Sequence, residues 1–357
     1  MKPAAPRKGR GAVISPDGRF DAWQREALDD GWWNEDEPSA LPTELVVDSA
    51  KTVITYNDSP DLPYDRSINP YRGCEHGCAY CFARPTHAYL GLSPGLDFET
   101  RLAWKADAPA CLRRELAKPG YACRPIALGI NTDAWQPVER RLGVTRAVLE
   151  VLAETGHPVT LVTKSALVLR DLDLLAAMAR ERRVHAAVSV TTLDAELART
   201  LEPRAPSPRR RLATIAALAQ AGVPTAVMVA PLIPALTDHE MESILAAARE
   251  AGAQSAGYIL LRLPHEVKPL FRAWLAEHHP GRLEHVYSLM RQLHGGREYD
   301  SNYGTRQSGR GPLAGIIARR FETAVRRLGL DTPTPPLDCT GFRPPRGDPA
   351  RPQLNLF

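Results

Sequence analysis

No stretch of this chain is apolar enough to cross a bilayer. An uncharged segment near the middle, Ala221 to Leu236, carries three prolines and falls short of the roughly 18 apolar residues that a span requires. The basic start, with Lys2, Arg7, Lys8 and Arg10, is followed by no apolar run, and no lipidation motif is present. A cytoplasmic location with no membrane partner is therefore expected. Cysteine is scarce: six in 357 residues are too few for a disulfide scaffold. Net charge is small, +4 from 45 Lys and Arg against 41 Asp and Glu, so a nucleic-acid partner has to be argued from local charge. With 25 glycines and 32 prolines the chain stays below the low-complexity range, and 44% apolar residues supply ample core. A disordered or collagen-like protein is excluded. The length fits two domains, or one large α/β domain with additions.

Residues 1–60 read as an irregular arm, with an acidic, Trp-containing stretch from Asp29 to Glu37. Beyond it, continuous apolar runs recur at Ile126 to Ile130, Val159 to Val162, Ala186 to Val190, Ala226 to Val229 and Tyr258 to Leu261, as expected of strands buried on both faces of a parallel sheet. Helical spacing fills the intervals: Val144 to Ala153, Leu172 to Arg180, Arg210 to Ala221 and Glu240 to Ala251, with Gly222 and Gly252 as helix stops. This β-α rhythm predicts an α/β fold, a wound sheet or a barrel, with functional residues at the strand C-terminal ends. The barrel is expected over 61–265, a helical and basic extension over 266–330, and a Pro/Arg-rich tail over 331–357.

Three of the six cysteines fall within eight positions, Cys74-Glu75-His76-Gly77-Cys78-Ala79-Tyr80-Cys81, spaced C-x3-C-x2-C. Soft thiolates select zinc, Cu(I) or an iron-sulfur cluster. A structural zinc would need His76, His87 or a distant cysteine as fourth ligand, because no second CxxC follows. A cubane held by three cysteines keeps one iron open to a substrate. With Tyr80 at the aromatic position, the segment resembles the radical S-adenosylmethionine (SAM) superfamily signature, C-x3-C-x-aromatic-C. From Arg19 through Leu330 the chain resembles a branch grouped with spore photoproduct lyase and labelled DNA-repair-photolyase-like. The resemblance implies a partial (β/α)6 TIM-type barrel with the cysteines in the loop after the first strand. It also implies that Cys74, Cys78 and Cys81 hold a 4Fe-4S cluster, and that Tyr80 contacts adenine through its backbone. The fourth iron would chelate SAM, whose reductive cleavage, fed by an electron donor, gives a 5′-deoxyadenosyl radical that abstracts hydrogen from a substrate.

Polar residues stand where strands end. Asn131, Thr132 and Asp133 follow Ile130 in place of the superfamily's Gly-Gly-Glu and offer acceptors to the SAM ammonium, or serve only as turn and cap residues. Lys164 would face the pocket and an anionic group. Ser189 and Thr191 close the fourth strand, and Glu202 and Arg204 follow, the first suited to ribose hydroxyls and the second to a carboxylate. Cys111, Cys123 and Cys339 read as isolated buried thiols, although such a residue can return a hydrogen atom.

From Arg291 to Arg327 eight arginines face only Glu298, Asp300 and Glu322, with Tyr299 and Tyr303 among glycines. This composition suits phosphates and stacked bases, or a solvated helix face. Gln353-Leu354-Asn355-Leu356-Phe357 resembles the peptide that docks on the bacterial sliding clamp. Three functions stay open: a radical SAM enzyme acting on DNA, one acting on a protein or small metabolite, and a non-catalytic metal module that binds nucleic acid or the clamp.

Overall fold

β-Branched and apolar residues dominate the segments that pair. The structure, a computed structural model, describes residues 9–21 and 41–345; the acidic stretch 29–37 and the peptide 353–357 lie outside the described residues. The strands are β1 (Glu44–Val47), β2 (Ile54–Tyr56), β3 (Arg66–Ile68), β4 (Tyr71–Arg72), β5 (Arg101–Trp104), β6 (Ile126–Leu128), β7 (Val159–Thr163), β8 (Val184–Ser189), β9 (Thr225–Leu232) and β10 (Ser255–Leu260). Six of them, β3, β6, β7, β8, β9 and β10, lie side by side in that order and run parallel. Antiparallel β2 covers the free side of β3, and β10 forms the other edge, so the sheet does not close on itself. The small sheet β1-β5-β4 stands beside it.

The helices are α1 (Asp97–Thr100), α2 (Ala108–Leu116), α3 (Glu139–Leu142), α4 (Val144–Glu154), α5 (Leu172–Arg180), α6 (Ala195–Leu201), α7 (Pro208–Gln220), α8 (Met241–Glu250), α9 (Val267–His278), α10 (Leu283–Leu293) and α11 (Gly311–Leu328). Local chemistry sets their ends. The Asp194 carboxylate accepts from the Glu196 and Leu197 amides to start α6, and Ser207 followed by Pro208 starts α7. Gly222 and Gly252 adopt the left-handed conformation that ends α7 and α8, with φ of +79° and +99°.

The apolar runs resolve differently along the sheet. β3 and β6 are buried throughout, whereas β7, β8 and most of β9 alternate between buried and half-buried residues. The buried set, including Val159, Leu161, Val188 and Val227, packs with Val148, Leu149, Leu152 and Leu175 of the helices. Each such side chain is worth about 1.5–3 kcal/mol. The alternate residues point to the opposite face of the sheet. No helix among the described residues is long and apolar enough to cross a membrane.

Two expectations about organisation need correction. The arm is not wholly irregular: β1 and β2 fall within it, and β2 joins the main sheet because the Val53 and Ile54 amides bond the buried Glu115 carboxylate of α2. Nor does the barrel end at residue 265. Helix α11 lies against the outer side of β10, with the Tyr258 and Phe321 rings 4.8 Å apart, and supplies the sixth helix. Helices α9 and α10 are an insertion ahead of it. Their residues Phe271, Trp274, Val286, Tyr287 and Met290 form a second core with Cys78, Ala79 and Tyr80, so the insertion roofs the cysteine loop.

Candidate active site

The cysteine loop leaves β3, the first parallel strand, at its C-terminal end and is held by its neighbours' main chain. Gln136 accepts from the Glu75 amide at 2.8 Å and donates to the Gly73 carbonyl at 3.1 Å. Ala79 N bonds the Leu201 carbonyl at 3.0 Å, and Arg204 N bonds that of His76 at 3.2 Å. The strongest brace is Arg84, which is fully buried. Its Nε donates to Cys78 O at 2.9 Å, Nη1 to the carbonyls of Pro94 and Gly95, and Nη2 to Gly77 O and the Glu99 carboxylate. Glu99 also accepts from the amides of Gly11 and Ala12 at 3.0 and 2.8 Å, docking the segment 9–21 over the loop. The approach there is so close that a Cβ on Gly11 would lie 1.8 Å from Gly77 O.

Cys74 and Cys78 are buried and Cys81 is half-buried. Burial pushes all three thiols above their ordinary range, Cys78 to about 12, and the three raise one another where they couple. Lys164 and Arg211 oppose that rise at Cys78, and Arg84 and Lys164 oppose it at Cys81. A bound metal removes such protons, since thiolate is the ligating form.

The polar residues expected at the strand ends do surround this loop. Glu202, just past α6, is buried and accepts from the Tyr80 hydroxyl, from Thr191 Oγ1 at 2.9 Å and from the buried Arg211 guanidinium. Burial pushes the Glu202 carboxyl up, but the charges of Arg211 and Lys164 and the hydrogen bonds prevail and hold it at about 2. Arg211 also donates to Ser189 O at 3.2 Å. The Lys164 ammonium stands 5.7 Å from the Tyr80 ring centre; burial disfavours its charge, yet Cys78 and Glu202 keep it above the usual lysine range. Asp133 is occupied within the chain, accepting from Thr163 Oγ1, Lys164 N and Trp135 N at 2.8–3.0 Å, with His76 Nδ1 at 3.5 Å. Thr132 donates to Tyr71 O, and Asn131 N bonds the Asn69 side chain. The carboxylate that Arg204 meets is that of Glu75, at 3.2 Å.

Sequence reasoning missed Arg84, Glu99, Gln136 and Arg211. The one local signal was Arg84, three positions past Cys81. The isolated-thiol expectation also needs correction. Cys111 is buried, with Arg114 Nη2 2.9 Å from its sulfur, but Cys123 and Cys339 are neighbours that act on one another electrostatically. Cys123 precedes β6, so this pair lies at the opposite ends of the strands from the cysteine loop.

Among the described residues, no three His, Cys, Asp or Glu side chains converge as ligands of one metal ion. The donor set fits a larger thiolate-bound group: three sulfurs in one loop, and beside them His76 Nε2, buried with no hydrogen-bond partner in the chain.

Six parallel strands that carry three thiols after the first and gather the loops of the next three around them define a partial-barrel enzyme. The chain belongs to the radical SAM superfamily, whose profile matches residues 68–248. It is 38% identical over 277 residues, 77% of its length and 78% of the relative's, to an uncharacterised protein of Mycobacterium bovis. It is 26% identical over 197 residues, 55% of its length and 71% of the relative's, to one from Methanocaldococcus jannaschii. Spore photoproduct lyase superposes with a TM-score of 0.58 at 18% identity over 80% of each chain. A further structure of that lyase, solved with bound AdoMet and dinucleoside spore photoproduct, superposes with a TM-score of 0.56 at 17% identity, over 80% of this chain and 79% of that one.

Proposed function

We propose that Cys74, Cys78 and Cys81 hold a 4Fe-4S cluster, that SAM binds beside it, and that the substrate is a nucleic acid. The observation that carries the first part is the buried three-thiol loop, fixed by Arg84 and lined by Tyr80, Lys164 and Glu202. When bound, the cluster supplies the single electron that cleaves the SAM sulfonium. The chain's own part is placement and exclusion. Arg84 and Gln136 hold the loop's carbonyls, the Glu202–Arg211 pair anchors Tyr80, and α9, α10 and the segment 9–21 keep water from the thiols. Lys164 offers a cation to an anionic group.

Support for a nucleic acid comes from the rim. Arg262, just beyond β10, lies 4.8 Å from the ring of Phe82, which adjoins Cys81 and is partly exposed; Tyr303 is exposed with Arg306 at 4.8 Å. Aromatic and arginine planes of this kind stack bases. Of the eight arginines counted in the basic segment, Arg306, Arg310 and Arg320 are tied to Asp61, Asp300 and Glu242, which leaves Arg291, Arg297, Arg319, Arg326 and Arg327 for phosphates. The lyase solved with a dinucleoside photoproduct has the same fold.

The test is anaerobic reconstitution with iron and sulfide, then SAM and dithionite, measuring 5′-deoxyadenosine. Cys78→Ala abolishes product and lowers bound iron; retention of both by the variant overturns the ligand assignment. Binding to labelled single-stranded and duplex DNA weakens as salt rises; affinity indifferent to salt overturns the phosphate contacts. The peptide 353–357 supports a second contact, with the sliding clamp, which its deletion abolishes.

A further inference from the structure

Beyond α11 the chain turns back and crosses the N-terminal ends of the barrel strands as a strap. Asp331 bridges Ser255 at the start of β10, Pro335 O meets His185 near the start of β8, and Asp338 N bonds Arg182 O at 2.8 Å. Arg343 N then bonds Thr155 O at 2.8 Å, and the Phe342 ring lies 5.4–5.5 Å from those of His157 and Tyr121. Between these anchors the strap makes a tight turn: Phe342 N bonds Cys339 O at 3.2 Å, and Thr340 N and Oγ1 bond the Asp338 carboxylate at 2.8 and 2.7 Å. The turn sets Cys339 beside Cys123 in the loop before β6: Phe342, three residues after Cys339, packs on Tyr121, two residues before Cys123. Both residues are half-buried and both are free thiols, so a small reagent can reach each member of this neighbouring pair.

We propose that Cys123 and Cys339 are a redox-active pair that closes to an intramolecular disulfide by exchange with a low-molecular-weight disulfide, stapling the strap to the base of the barrel. Cys339 attacks one sulfur of the reagent, its S–S bond breaks, and the first small thiol leaves with the Cys339 proton. Cys123 then attacks the Cys339 sulfur of the mixed disulfide. The second small thiol leaves with the Cys123 proton, and the two electrons lost by the cysteines have reduced the reagent. Burial and the adjoining Cys339 push the Cys123 thiol up to about 12. The site lies away from the cysteine loop and does not depend on the assignment made there.

The experiment exposes the full chain to oxidised glutathione or to dithiothreitol, alkylates free thiols, and maps peptides without reduction. A Cys123–Cys339 cross-linked peptide, two hydrogens lighter than its reduced parts and reversed by dithiothreitol, is the expected result. Glutathione left on Cys339, or both residues alkylated after oxidation, overturns the proposal. Limited proteolysis gives a second readout. Release of the strap is expected to slow at least tenfold on oxidation in the wild type and to be redox-independent in Cys339→Ser. Equal release from oxidised and reduced wild type overturns the stapling.

Discussion

Replacing Arg84 by lysine keeps the charge opposite Glu99 but removes the planar fork. The arginine satisfies five buried acceptors, four carbonyls and one carboxylate, and three of those carbonyls belong to Gly77, Cys78 and Gly95. A lysine has three N–H groups on one atom, so at least two acceptors lose their donor. At about 1–3 kcal/mol for each buried orphan, the loss is about 2–6 kcal/mol, a large part of the 5–15 kcal/mol that typically stabilises a domain. Arg84→Met also leaves Glu99 with only the Gly11 and Ala12 amides, and breaking a buried pair this way costs about 3–5 kcal/mol. The midpoint of urea unfolding, followed by circular dichroism on the full chain, measures this. Iron and sulfide bound after anaerobic reconstitution report whether the loop still presents its thiols. An Arg84→Lys protein within about 0.5 kcal/mol of wild type, the range of an ordinary surface substitution, and with full iron content would refute the reasoning.

Arg211→Met strands the buried Glu202 carboxylate and is expected to cost about 3–5 kcal/mol, whereas the double variant with Glu202→Leu recovers most of that. A double-mutant cycle in urea checks it, and simple additivity would count against the coupling. His157 supplies a pH test. Its Nδ1 donates to Pro158 O and its Nε2 accepts from the Tyr121 hydroxyl, so the buried ring is held neutral. Burial lowers its pKa from 6.5 to about 4. The unfolded chain therefore binds the proton first, and stability is full above pH 6.5 and falls as pH drops toward 4, by at most about 3 kcal/mol. In His157→Asn the unfolding midpoint loses part of its slope between pH 6.5 and 4.5, the remainder coming from other buried histidines such as His87; an unchanged slope would contradict the assignment.

The parallel strands were legible because strands such as Val159–Thr163 are rich in apolar and β-branched residues, whose buried members Val159 and Leu161 pack beneath helices. The cysteine spacing was legible because one loop holds all three thiols. Arg84 escaped notice because its acceptors are mostly carbonyls, which every residue possesses; nothing in the sequence marks which carbonyls a buried fork will collect. Contacts between Glu99 and Gly11, or Cys123 and Cys339, join positions that only the fold brings together. Periodicity read α11 as a helix but not as the sixth barrel helix, because α9 and α10 intervene and periodicity says nothing of which helix packs on which strand.

The division of labour follows from the shape of the sheet. An open sheet of six parallel strands positions loops at one end, but it cannot by itself keep solvent from what those loops hold. The additional cover comes from outside the superfamily's matched region of 68–248: Gly11 and Val13 from the segment 9–21, and Trp274, Tyr287 and Met290 from α9 and α10. The other end is crossed by the strap, also outside that region. The cysteine loop thus lies within the matched region, whereas this cover lies outside it. Arg262 and Tyr303, the residues proposed for substrate contact, likewise lie beyond residue 248. Substrate choice in this chain is therefore expected to track the segments outside residues 68–248.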